Sequence, residues 1–147
     1  MKLHMNSDTN LERFVAAQEK DYERALSEIG NGRKRSHWIW YIFPQLKGLG
    51  FSANASYYGI RDLQEATDYL DHPLLGARLV EISRTLVGLP GHNATTVMGG
   101  PDDLKLRSCM TLFAMVPGAD PVFSQVLEKY FQGEKDARTV ALIKGMG

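Results

Sequence analysis

A single cysteine, no net charge and no long apolar run mark this chain of 147 residues. Cys109 stands alone, which excludes an intrachain disulfide and with it the stapled scaffold of small secreted domains. Lys and Arg together number 17, as do Asp and Glu, so the formal net charge is zero. A dedicated nucleic-acid binder carries a basic footprint, so this balance argues against one. It also removes one barrier to self-association, which keeps a homo-oligomer among the expected states. No apolar stretch approaches the roughly 18 residues of a membrane span, and no secretory leader is legible. We therefore expect a soluble, cytoplasmic protein with no membrane partner. Internal repeats, a P-loop, a dinucleotide-binding glycine pattern and Gly-x-Ser-x-Gly are all missing. His4, His37, His72 and His92 are scattered without metal-ligand spacing, so neither a metal site nor a cofactor is expected.

What the chain does have is one dense stretch. Arg33 to Ser52 holds both tryptophans, Trp38 and Trp40, close to His37, Tyr41, Gln45 and Lys47, and runs out into Gly48 and Gly50. Aromatic rings with polar edges need both apolar cover and a hydrogen-bond partner. Histidine titrates near neutrality and serves as acid, base or ligand. Glutamine offers donors and acceptors together, and lysine holds a phosphate as a point charge. Glycine lets backbone N–H groups approach a ligand. Arg33-Lys34-Arg35 precedes a helix start, where an anionic partner is welcome, although three solvated charges is the plainer reading.

The rest of the chain reads as helix. Leu11, Phe14, Val15, Gln18, Tyr22, Ala25, Leu26 and Ile29 mark one face of a helix over residues 10–29, with Asp8, Thr9 or Asn10 as its cap and Gly30 and Gly32 as its stop. Glu12, Arg13, Glu19, Lys20, Glu23 and Glu28 make its solvated side. Ser36 is a candidate cap for a short helix from His37 to Phe43 that Pro44 ends; a strand is the alternative, with helix favoured because both faces are apolar. Residues 48–56 read as a loop. Asp62 and Glu65 open a helix to Leu70, and Pro73 opens the next, to Val87. Residues 92–100 read as irregular. Further helices run from Pro101 or Asp102 to about Phe113, and from Asp120-Pro121 to Phe131, and Asp136 caps a last short turn. On helix α-positions 105, 108 and 111, Lys105, Ser108 and Thr111 share a side, as a site wall or as helix–helix hydrogen bonds. Six to seven helices without alternating strands give an all-α single domain over residues 10–143, with an irregular leader over 1–9 and a short tail over 144–147.

These residues carry a resemblance. Phe14-x-x-x-Gln18, Ser36-His37-Trp38-x-Trp40-x-x-Phe43-Pro44-Gln45 and Gly48-Leu49-Gly50-x-Ser52 are followed by Tyr58-x-Ile60. Glu65-Ala66-x-x-Tyr69-Leu70-x-His72-Pro73-x-Leu75-Gly76-x-Arg78-Leu79 comes next, then Asp103-x-Lys105-Leu106-x-Ser108-x-Met110-Thr111-Leu112-Phe113. Together they resemble the bacterial domain-of-unknown-function family 1810, over roughly residues 10–143. The resemblance implies a mostly helical single domain and supplies no catalytic residues. Members sometimes carry the label calpastatin, which suits a disordered inhibitor and not these helical faces. A fainter likeness to the NADAR group, linked to NAD and ADP-ribose metabolism, rests on the Glu65-Ala66 to Pro73 helix and on a later helix with Asp, Met and Phe in that order.

The expectation is a small anionic metabolite, nucleotide- or ADP-ribose-like, in a pocket walled by Trp38, Tyr41, Gln45, Lys47, Ser52, Lys105 and Ser108. His37 is the candidate for acid–base turnover of that ligand, a further step beyond binding. The competing expectation is a protein–protein interaction or oligomerisation module without chemistry.

Overall fold

The computed structural model describes residues 10–146. The leader over 1–9, with the cap candidates Asp8 and Thr9, lies outside the described residues. Among those described there are nine helices and no strand: α1 (Glu12–Gly30), α2 (Ile39–Ile42), α3 (Ala53–Tyr57), α4 (Leu63–Asp71), α5 (Leu75–Gly88), α6 (Ala94–Met98), α7 (Asp102–Ala114), α8 (Val122–Phe131) and α9 (Ala137–Met146). The domain is all-α, and the favoured helix over 37–43 survives as one turn, α2. One isolated parallel bridge pairs Leu46 with Ile60.

The long helices form where apolar side chains recur every three or four residues. In α5, Leu75, Leu79, Ile82 and Leu86 make one fully covered stripe. It packs against α1, α4 and α8. Helix α7 is the axis of the fold: α8, α6, α9, α4 and α2 all pack on it. From Cys109 to Phe113 every α7 residue is fully buried, as expected of a helix surrounded by others. Gly76 lets α5 close on the end of α4. A Cβ at that position would stand 2.1 Å from the Leu70 carbonyl oxygen.

Several local expectations are corrected. Arg13 and Glu28 were assigned to the solvated side of α1, yet both are buried. Arg13 finds its partners far along the chain, and Glu28 in the segment just after α1. Arg13 Nη2 lies 3.2 Å from Glu65 Oε1, while its Nε donates to the Tyr57 carbonyl at 2.8 Å and Nη2 to the Gly59 carbonyl at 2.9 Å. Glu28 accepts from Arg35 N at 2.7 Å, Ser36 N at 3.0 Å, Ser36 Oγ at 2.6 Å and Trp38 Nε1 at 2.9 Å. Ser36 therefore caps nothing; it is held by Glu28, and α2 starts at Ile39. Lys34 is no solvated charge either: its ammonium pairs with Asp102 Oδ2 at 2.8 Å and lies over the Trp38 ring.

Residues 48–56 contain the start of α3, capped by Ser52 Oγ, which accepts from Ala55 N at 3.1 Å. Residues 92–100 contain α6, capped by Asn93. The helix expected to open at Pro73 opens two residues later. His72 Nδ1 accepts from Leu74 N and Leu75 N at 3.1 and 3.2 Å, taking the role of a capping oxygen. Asp136 does cap α9, through Thr139 N at 3.0 Å, but α9 runs on to Met146.

Candidate functional site

A cleft of about 380 Å³ opens between α7, the start of α9 and the segment from Leu49 to Gly59. Its floor is fixed first. Pro44 ends α2, and the extended chain beyond it pairs with Ile60: Ile60 N donates to the Gln45 carbonyl and Lys47 N to the Ile60 carbonyl, each at 2.8 Å. Leu46 and Ile60 are buried by this pairing, and Leu46 and Gly59 reach the cleft. Trp40 and Tyr58 add aromatic wall.

The opposite wall is one face of α7. Leu104, Lys105 and Ser108 lie at i, i+1 and i+4 and all line the cleft. Ser108 Oγ donates back to the Leu104 carbonyl at 3.2 Å. Lys105 sits over the Trp40 ring, 5.3 Å from its centroid, and its ammonium is 3.4 Å from Asp102 Oδ1. Asp102 also serves Lys34, so one carboxylate answers two ammonium groups and positive charge is left over on the cleft side. Arg138, exposed at the start of α9, adds a second cation, and its Nη1 reaches the Leu49 carbonyl at 3.5 Å. The single acid in the lining, Asp136, is committed to capping α9 through Thr139 N and Oγ1. The side-chain amides of Gln45 and Asn54 also line the cleft and find no hydrogen-bond partner among the described residues.

The cleft thus gathers Gln45, Ser52, Lys105 and Ser108 from the expected set. The other expected residues stand elsewhere. Trp38 is fully buried, its indole N–H given to Glu28. Tyr41 donates its hydroxyl to Asp21, and burial, aided by that carboxylate, pushes its pKa up. Its backbone carbonyl takes the side chain of Gln18 at 2.8 Å. Lys47 is exposed and lines a second, shallow hollow with Arg13, Tyr57 and Arg61, on the far side of α3. His37 is exposed and is not part of the cleft lining. Thr111 faces inward: it donates to the Arg107 carbonyl and accepts from Asp136 N, both at 2.8 Å, so on α7 the polar seam is site wall at Ser108 and a tie to the start of α9 at Thr111.

Trp40, Tyr58, Leu104 and Arg138 were not singled out as a set by the sequence reading. Trp40 and Tyr58 carried a signal, as rings beside the glycine-rich segment. Arg138 carried none, being one arginine among several on a short amphipathic turn. Among the described residues no three His, Cys, Asp or Glu side chains come together as a metal site. No described helix is long and apolar enough to cross a membrane.

The sequence matches the family described as "Protein of unknown function (DUF1810)" over residues 8–143. Among solved structures, the chain is similar to the crystal structure of a conserved hypothetical protein from Mycobacterium tuberculosis. The two share 48% sequence identity with a TM-score of 0.89, over 91% of this chain and 96% of that one. A comparison with curated proteins finds no match.

Proposed function

The chain belongs to the DUF1810 family, and from that premise we propose that the cleft beside α7 binds a small anionic metabolite, with nucleotide- and ADP-ribose-like compounds as the first candidates. One observation carries this reading: Lys105 and Arg138 line a hollow whose other walls are largely aromatic and aliphatic and whose one acid is engaged in a helix cap. A small-molecule site has this composition, apolar walls with a few convergent polar groups. Lys105 and Arg138 take the acidic group, Gln45 and Asn54 read a polar edge, and Trp40 and Tyr58 give a flat surface. His37, Trp38, Tyr41 and Lys47 have no part in it.

A thermal-shift screen with AMP, ADP-ribose and inorganic phosphate tests the reading, because a ligand of the folded state alone raises the melting temperature by mass action. AMP or ADP-ribose is expected to raise it, and Lys105→Met or Arg138→Ala to abolish the rise while leaving the unliganded melting temperature almost unchanged. His37→Ala is expected to respond like the parent chain. A rise that survives both cation variants would place the ligand elsewhere. Exposure of Phe51 and Tyr57, 87% and 57%, favours a second reading, self-association through these rings. Light scattering separates the two: a dimer that Phe51→Ala splits supports the interface.

A further inference from the structure

We infer that residues 48–57 are a strap that closes over the cleft, and that Phe51 is the ligand-contacting side chain it delivers. The inference rests on the cleft being the binding site. Both ends of the strap are pinned. Before it, Leu46 is bridged to Ile60; at its other end, the buried Arg13 guanidinium holds the carbonyls of Tyr57 and Gly59. Between these ties no residue is buried. Helix α3 has a hollow on either side, with Asn54 and Ala55 lining the cleft and Ala53, Ser56 and Tyr57 lining the shallow one. A single turn of helix with a hollow on either side, α3 contributes no buried residue to the core. Outside its own turn, the hydrogen bond from Arg138 to the Leu49 carbonyl, a long one at 3.5 Å, crosses from the strap to the far wall. Gly48, at φ +104°, supplies a bend that other residues rarely adopt.

The two walls of the cleft are thus unequal. The α7 wall belongs to the core, while the facing wall is the strap. Each presents an exposed apolar side chain at the rim: Leu104, 58% exposed, on α7, and Phe51, 87% exposed, on the strap. Movement of the strap toward α7 brings the phenyl ring over whatever lies on Lys105 and screens the ion pair from water, which strengthens it.

Two measurements on the full chain without ligand decide this. Hydrogen exchange is expected to run at least about 100-fold faster at Ala55 to Tyr58 than at Cys109 to Phe113, as for a segment that opens without the core. One common rate for both segments overturns the strap. Phe51→Cys with Leu104→Cys, both at exposed sites, is expected to lose two of its thiols on mild oxidation and remain a monomer. The native Cys109 is buried and stays unreacted. Tyr57→Cys with Leu104→Cys, which places one thiol by the other hollow, is expected to stay reduced. If the Phe51 pair also stays reduced, the strap does not reach α7 and the inference fails. Binding of AMP or ADP-ribose that depends on Lys105 would then still stand, since the thermal-shift screen reads the cleft independently of the strap.

Discussion

Glu28 is the side chain on which the aromatic stretch hangs. Burial alone would raise its pKa; the Ser36 hydroxyl, the Arg35 N–H, the Trp38 indole and the Ser36 N–H outweigh that and lower it from 4.5 to about 2. A depressed carboxylate stabilises the fold above its unfolded value and ceases to do so as pH falls through the folded one. The parent chain is therefore expected to lose about 3 kcal/mol of stability between roughly pH 4.5 and 2 from this group. Urea denaturation across that range checks it: Glu28→Gln should be less stable at pH 7 by about 2–3 kcal/mol and show a shallower acid decline. An unchanged profile would mean the four donors are as well served by water. Glu28 also shows where sequence reading stops. On the wheel of α1 it counts as a polar residue on the outer side, and nothing local announces that Arg35, Ser36 and Trp38 fold back onto it. Arg13 is the same case, with its partners near residues 57–65. Cys109 is fully buried, and burial pushes its thiol pKa well up, as for an unreactive structural cysteine.

At the scale of elements, α1, α4, α5, α7 and α8 were legible because each repeats its apolar residues over about two turns or more, whereas α9 read only as a short turn. Helices α3 and α6 were not, since five residues carry no period; only their caps, Ser52 and Asn93, left a trace. The same limit applied to the cleft. Its α7 wall was visible as Lys105 and Ser108 one turn apart, but the chain gives no local sign of which strap faces that wall. Two substitutions separate elements that matter to the core from one that does not. Gly76→Ala puts a Cβ against a backbone carbonyl that cannot move without parting α4 from α5, and should cost about 3 kcal/mol in urea denaturation. Ser52→Ala removes the α3 cap, worth about 1 kcal/mol to that turn. It should quicken amide exchange in α3 while the melting temperature hardly moves.

The described residues share one core, reaching from Phe14 on α1 through Trp38, Tyr69 and Phe113 to Phe123 on α8. Trp38 reports on tertiary packing and the helices on secondary structure, so tryptophan fluorescence and far-ultraviolet circular dichroism should give coincident urea transitions. Separated transitions would reveal a second cooperative unit. The carboxylate shared by Lys34 and Lys105 has a further consequence at this scale. Lys34 stands apart from the cleft, yet it claims half of Asp102. Without Lys34, Asp102 would turn wholly to Lys105 and mute the charge offered to an incoming acid. If the cleft takes an anion as proposed, a neutral residue at position 34, which lies outside the cleft lining, is expected to weaken that binding through Asp102.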